Sequence, residues 1–399
     1  MTTEKPYKRI VYFLGGLLPY GPRYYLPFLK RGARQHSKLY DRSISFEKNG
    51  EWQGSPETLL RTTEEGCRNV ETRYRFLAWD DLVKGRLDRS FIVATLHSYL
   101  LFIRLIFSGD IFKIYRYYWG FGNGIMVLAV MQLLIQFGGL GVGLLAFNYS
   151  SIDVSPVIAW SLSFLFGFFA LVFVQWRGDP FRFQMSNELL RMRWDYAHGQ
   201  FDDVKPRLER FRLNLKESLQ QEDCDEFILV GHSYGSLIAV DMMADLLRDV
   251  PEEKSKAKKL GLVTLGSIHH FLAVLPSAVK YRKSLEEVGS SNRLYWFEPF
   301  IPQDGMNFPK CNPIHDFTSV QPISGPHQKS VKYKELVRRE TYAKKKRDFW
   351  SMHFQYLKEG DYQGDYSYFR IICSDQPLSE NYGLREKSKK GFVRPQELG

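Results

Sequence analysis

Apolar residues recur along this chain with distinct patterns, and each pattern predicts a different kind of element. Two windows carry no charge at all: Gly124 to Phe147, "GIMVLAVMQLLIQFGGLGVGLLAF", and Ser155 to Gln175, "SPVIAWSLSFLFGFFALVFVQ". At about 1.5 Å of rise per residue, each is long enough to cross a hydrocarbon layer about 30 Å thick. A short link, "NYSSIDV", joins them, so the pair reads as a transmembrane hairpin with spans over about 124–147 and 155–175. Gly139 and Gly143, and again Ser163 and Gly167, are spaced as small residues are where two helices approach closely. A third apolar stretch, Phe91 to Phe107, is interrupted by His97 and Arg104. A central arginine costs about 2.5–3.5 kcal/mol on insertion, and a third crossing would separate the two halves of the soluble domain. This stretch is expected to be an amphipathic helix at the interface or a core helix.

Outside these windows the pattern alternates between strand and helix. "RIVYFLG" (9–15) and "TRYRFLAW" (72–79) are strand-like. Residues 202–221 place Val204, Leu208, Phe211, Leu215 and Leu219 on one helical face. "EFILVG" (226–231) has the continuous apolar run of a strand covered on both sides. A helix, the strand "LGLVTLGS" (260–267), a further helix and the strand "NRLYWFEPF" (292–300) follow, and "YSYFRIIC" also has strand-like composition. This order predicts an α/β fold with a doubly wound, mostly parallel sheet into which the hairpin is inserted. The expected organisation is residues 1–117 and 179–385 as two parts of one domain, 118–178 as the hairpin region, and 386–399 as a basic tail.

Composition narrows the class. The chain has 399 residues, 44% hydrophobic and 25% charged, which is ordinary for a globular protein. Its formal net charge of +11 fits anionic lipid, and no nucleic-acid motif accompanies it. Cys67, Cys224, Cys311 and Cys373 are scattered without metal-ligand spacing and read as reduced thiols. No metal and no cofactor is expected. The opening "MTTEKPYKRIVYFLGG" lacks the form of a signal peptide.

The chemistry concentrates at "FILVGHSYGSLIAV" (227–240), where Gly231-His232-Ser233-Tyr234-Gly235 joins an apolar strand to a helix. Glycines two residues either side allow the sharp turn that lifts a serine hydroxyl above a sheet, so Ser233 is the candidate nucleophile. A serine needs a base, and the base an acid, in the order Ser, Asp or Glu, His. Asp304, in a loop after a strand, is the leading acid; Glu298 and Asp316 are weaker candidates. His353, among aromatics in "DFWSMHFQYL", is the leading base, with His327 in the polar loop "SGPHQKS" behind it and His315 too near Asp304 in the chain. His232, next to the serine, is expected to support the turn. The backbone N–H groups of Tyr234 and of Leu17, after Gly15 and Gly16, are the candidate oxyanion donors.

At these residues the chain resembles the α/β-hydrolase superfamily, through "VGHSYGS", "VTLGS" and the glycine loop after "RIVYFL". Within it, the chain is similar to a group of bacterial membrane-anchored hydrolases that share Gly21-Pro22-Arg23, Trp296 followed by Asp304 and Phe308, and His353-Phe354-Gln355-Tyr356-Leu357. The likeness covers most of residues 9 to 373. It implies a triad of Ser233, Asp304 and His353. The first glycine loop lacks the His-Gly pair common in that superfamily, and no strand directly precedes His353.

The resulting expectation is a membrane-anchored serine hydrolase acting on an ester or related acyl bond of an amphiphilic, lipid-like small molecule, with the lipid membrane as its other partner. An acyltransferase and an inactive membrane scaffold are the rivals. Lys113 and Arg116 precede the hairpin, Arg177, Arg182, Arg191 and Arg193 follow it, and the link has Asp153 and no basic residue. The positive-inside rule then puts the hydrolase domain and both termini in the cytoplasm, with the hairpin in a bacterial cytoplasmic membrane. In a variant with its four cysteines replaced, a cysteine at Ser151 should react with an impermeant maleimide added to whole cells, and one at Ser388 only after lysis. The reverse pattern would overturn this orientation.

Overall fold

The computed structural model describes residues 5–150, 154–178 and 182–382. Strand β1 (Tyr7–Leu14) is buried at every position but Lys8, as a strand covered on both faces must be. It lies inside an eight-stranded sheet with β2 (Ser43–Trp52), β3 (Ser55–Thr63), β4 (Val70–Phe76), β5 (Cys224–His232), β6 (Ala257–Leu265), β7 (Leu294–Phe300) and β8 (His327–Ser330). The strand order is β2-β3-β4-β1-β5-β6-β7-β8. All pairs from β4 to β8 are parallel, and β2 and β3 extend the sheet as an antiparallel hairpin. The molecule is thus a mixed α/β fold around a mostly parallel sheet.

Alternate residues feed two separate cores. Ile10, Tyr12 and Leu14 of β1 and Phe227 and Leu229 of β5 join one apolar cluster, while Val11, Phe13, Ile228 and Val230 join the other. Helix α1 (Pro22–Tyr40) and the segment 352–382 cover the second face.

Several sequence expectations need correction. The strands β2 and β3 went unread, although their turn carries a signal: Gln53 and Gly54 both have positive φ, at 45° and 77°, the signature of a two-residue hairpin turn. The inserted hairpin therefore follows a fourth strand, not a second. "SGPHQKS", expected to be a loop, contains the edge strand β8 beginning at His327. "YSYFRIIC" forms a short helix, Tyr368–Cys373, capped by the Ser367 hydroxyl on the Arg370 N–H. Its β-prone residues are almost all buried, and packing on several sides overrides intrinsic preference. The link residues 151–153 and the tail 386–399 lie outside the described residues.

Between β4 and β5 the chain runs through α2 (Asp80–Leu87), α3 (Phe91–Phe107), α4 (Asp110–Tyr117), α5 (Trp119–Tyr149), α6 (Pro156–Trp176) and α7 (Phe183–Ala197). Among the described residues, α5 and α6 are the two single helices long and apolar enough to cross a membrane; α5 is longer than the sequence pattern indicated, and α6 has the same length shifted by one residue. The strands before and after this excursion belong to one sheet, so the number of crossings between them is even. An even count is met by α5 with α6 and leaves no third crossing for α3 beside them. Its Ile92, Leu96, Leu100, Ile103 and Phe107 form one exposed apolar stripe. The opposite side is tied down: Thr95 donates to Gln175 of α6 at 3.3 Å and Ser98 to Gln132 of α5 at 3.1 Å. The interrupting Arg104 stacks its guanidinium on the Trp194 ring of α7, which keeps the charge out of the apolar stripe.

After α7, helix α8 (Lys205–Gln221) buries the predicted Leu208, Phe211, Leu215 and Leu219, and α9 (Tyr234–Asp249) follows β5. Both pack on the first core.

The crossing of α5 and α6 rests on small residues. A Cβ on Gly139 would lie 2.6 Å from Gly167 Cα, and one on Gly143 would lie 2.8 Å from Ser163 Cβ, whereas a Cβ on Gly138 would meet nothing within 4 Å. Gly167→Leu should therefore force the helices apart and lower the thermal unfolding midpoint of the protein in detergent by several degrees, while Gly138→Leu should leave it unchanged. Equal midpoints for both variants would show that this crossing does not hold the hairpin.

Candidate active site

Ser233 lies where β5 turns into α9, with φ 58° and ψ −126°. A non-glycine residue in that region costs on the order of 1–3 kcal/mol and persists only where its surroundings hold it. The Ser233 N–H donates to Leu265 O of β6 at 2.8 Å, and the Ser236 N–H and hydroxyl both bond Ser233 O. The flanking glycines are sterically required: a Cβ on Gly235 would lie 2.4 Å from Leu14 O at the end of β1. The glycine loop after β1 is equally close, since a Cβ on Gly16 would lie 2.7 Å from Ser233 Cβ. Gly16 and Leu17 thus stand beside the serine, and Tyr234 begins α9 directly after it. The Trp79 indole N–H fastens this loop by donating to Gly15 O at 3.0 Å.

Asp304 and His353 come together from different loops. His353 ends a one-turn helix, Phe349–His353, which explains why no strand precedes it. Its Nδ1 is 2.9 Å from Asp304 Oδ2, and both side chains are buried. Because the carboxylate accepts, Nδ1 carries a proton, and in the neutral imidazole this leaves the lone pair on Nε2. That Nε2 is buried and, among the described residues, without a hydrogen-bond partner. Room for the ring comes from Gly266, at φ 54°, whose Cβ would lie 2.9 Å from His353 Cε1.

Tyr356 and Met306 hold Asp304 in this pair, and Asn307 and Ile301 hold Tyr356; none was singled out for that role. The Tyr356 hydroxyl donates to Asp304 Oδ2 at 3.1 Å and accepts from Asn307 Nδ2 at 2.7 Å and the Ile301 N–H at 3.0 Å. The Met306 N–H bonds Asp304 Oδ1 at 2.9 Å. Burial, and then the Asp304 charge, push the Tyr356 phenol well above its ordinary range, so it stays a donor. Tyr356 sits in "HFQYL", but only the fold shows that it reaches the aspartate.

The other candidates are engaged elsewhere. Glu298 is buried against His269 at 3.0 Å, the Thr264 hydroxyl at 2.8 Å and Gln328 at 2.8 Å. Burial raises its carboxyl, but these partners outweigh that and hold it below the usual range. Asp316 pairs with His270 at 2.7 Å. His315 is exposed, and His327 stacks on Tyr295 at the sheet edge. His232 plays the supporting part expected: its Nε2 is 2.9 Å from His353 O. Since a carbonyl only accepts, that nitrogen carries a proton. Burial, and secondarily the neighbouring His353, lower the His232 pKa to about 3, so the ring is neutral.

Ser233, His353 and Gly16 open on a cavity of about 440 Å³, a size typical of small-molecule sites. Its remaining wall is mainly apolar and comes from the start of α5, from Phe102 of α3 and from α7. Among the described residues no group of acidic, histidine or cysteine side chains could hold a metal ion. Comparison of the chain with models of known families, with curated proteins and with solved structures finds no match. The functional reading therefore rests on the site itself.

The neutral His232 has a consequence for pH. Unfolded, its imidazole would bind a proton near pH 6.5, whereas folded it resists protonation down to about 3. Its contribution to stability is complete above pH 6.5 and is lost as pH falls from there toward 3. His232→Gln keeps a donor for His353 O without the titration. Its unfolding midpoint should fall less steeply between pH 7 and pH 4 than that of the wild type. Parallel profiles would mean that His232 is not held neutral.

Proposed function

We propose that this protein is a membrane-anchored serine hydrolase of the α/β-hydrolase type, acting on an ester or related acyl bond of an amphiphile. The observation that carries the reading is His353, joined to Asp304 through Nδ1, with a buried, unpartnered Nε2 in the cavity that Ser233 also lines. A serine held in a strained elbow supports the same reading, because a scaffold gains nothing from backbone strain at that one position.

In this reaction the Ser233 hydroxyl attacks the acyl carbonyl and His353 Nε2 takes its proton. Asp304 keeps the imidazole in the required tautomer and stabilises the imidazolium that forms. The N–H groups of Leu17 and Tyr234 receive the oxyanion of the tetrahedral intermediate. His353 then passes its proton to the departing alcohol, leaving an acyl group on Ser233. Water, deprotonated by the same nitrogen, releases the acid and restores the serine. The anchor is α5 and α6, with the catalytic domain on the cytoplasmic side by the distribution of basic residues.

A fluorophosphonate should label the wild type at Ser233 and leave Ser233→Ala unlabelled. Both Ser233→Ala and His353→Ala should lower kcat/KM on an acyl ester by at least about 10³-fold, with the double variant no worse than either, because members of such a unit do not act additively. His327→Ala should stay near wild type. A normal kcat/KM in His353→Ala, or labelling that survives loss of Ser233, would refute the assignment.

A further inference from the structure

The cavity contains one feature that ester chemistry does not require. Among the described residues that line it, Arg182 alone carries a permanent charge. It is placed just beyond the end of α6 and serves as the N-cap of α7. Its guanidinium lies over the Trp350 ring, 4.3 Å from the centroid, and Trp350 lines the cavity too. Two neighbouring arginines do have carboxylates: Arg86 meets Glu188, Asp195 and Asp203, and Arg193 meets Asp110. Arg182 forms no ion pair among the described residues. Its backbone is also in the left-handed region, at φ 55°, a conformation that costs energy for a side chain of this size. An arginine stacked on a tryptophan, beside an apolar cavity and with no carboxylate partner among the described residues, is poised for an anion from outside the protein.

The apolar part of the wall shows where the rest of such a ligand goes. Phe121, Ile125, Val127 and Leu128 carry it along α5. Val127 is 56% exposed on the face that α5 turns outward, and it lines the cavity as well. A continuous apolar surface therefore leads from Ser233 to the side of α5 that meets lipid. Arg182, close after a membrane-spanning helix, stands at the depth of head groups.

We infer that the site takes an anionic amphiphile from the membrane: a phosphate or carboxylate head group on Arg182, with its acyl chain laid along α5 through Val127. The inference deepens the hydrolase reading, on which it rests only for the position of the scissile bond. Arg182 is the residue that selects for charge, and Val127 sits on the path of the chain.

Binding to the full-length Ser233→Ala variant in non-ionic detergent tests this without turnover. The probes are a fluorescent hexadecyl phosphate, the uncharged hexadecanol counterpart and inorganic phosphate. The charged probe should bind about tenfold or more tighter than the uncharged one, as a charge-assisted contact with arginine gives. Arg182→Gln should abolish that ratio and Arg182→Lys should retain part of it, while Val127→Trp should weaken both long-chain probes alike. Inorganic phosphate should not displace the charged probe. Equal affinity for the two long-chain probes, or a ratio unchanged in Arg182→Gln, would overturn the inference, as would full displacement by inorganic phosphate. Loss of the hydrolase reading would appear separately, as absence of fluorophosphonate labelling at Ser233 in the wild type.

Discussion

The pairing of β1 with β5 is the constraint on which the rest of the structure depends. It joins segments separated by the whole membrane excursion, and a buried ion pair marks the junction: Arg9 of β1 lies 2.7 Å from Glu226 of β5. Neither charge has water to fall back on, so removing one partner of such a pair typically costs about 3–5 kcal/mol. The pair also gathers the C-terminal segment, since Arg9 donates to Ser374 O and Gln376 O and Glu226 accepts the Leu378 N–H. Two results follow from this register. The glycine loop leaving β1 is pressed against the turn leaving β5, which places Gly16 on Ser233. The chain that leaves at β4 must also return to the same side of any bilayer, which admits α5 and α6 as spans and leaves α3 on the surface.

The site is built almost wholly from buried polar groups that satisfy one another. Asp304 takes bonds from His353, Tyr356 and the Met306 N–H, and the His353 backbone is held in turn by His232. In an interior of low dielectric such a network is rigid when complete and costly when it is not. Among the described residues, His353 Nε2, His232 Nδ1 and Asn307 Oδ1 are buried without a hydrogen-bond partner, and His353 is the one bonded to Asp304 in the cavity that Ser233 also lines. A second acid, Glu298, sits on the strand before Asp304 but is used up by His269, Thr264 and Gln328. The same residue types thus serve structure in one place and are left open to a ligand in another, and only their partners distinguish the two.

Helix α5, one of the two long and apolar enough to cross a membrane, also contributes to the site. The first turns of α5 and the middle of α3 form the apolar side of the cavity. Buried glutamines bind these helices to one another: Gln136 accepts from Tyr99 at 2.9 Å and donates to Phe164 O at 2.9 Å. Polar contacts of this kind fix helix positions where hydrophobicity alone cannot, because lipid is as apolar as the helices themselves. A cavity walled by such helices is as well defined as one walled by the sheet.

The sequence by itself determined the features set by local pattern. Uninterrupted apolar length marked α5 and α6, continuous burial marked β5, helical spacing marked α8, and the glycines around Ser233 announced a sharp strand-to-helix turn. It did not reveal β2 and β3, whose few apolar residues lie among charged and polar ones, nor β8, which is short and polar. It ranked Asp304 above Glu298 and Asp316, and His353 above His327, but proximity decides such questions and sequence spacing does not measure it. The tertiary structure alone brought Asp304 and His353 within bonding distance, added Tyr356 as a third member, and set Arg182 on Trp350 at the cavity. Each of these contacts joins segments far apart in the chain, and a contact of that kind exists only once the sheet has closed around β1 and β5.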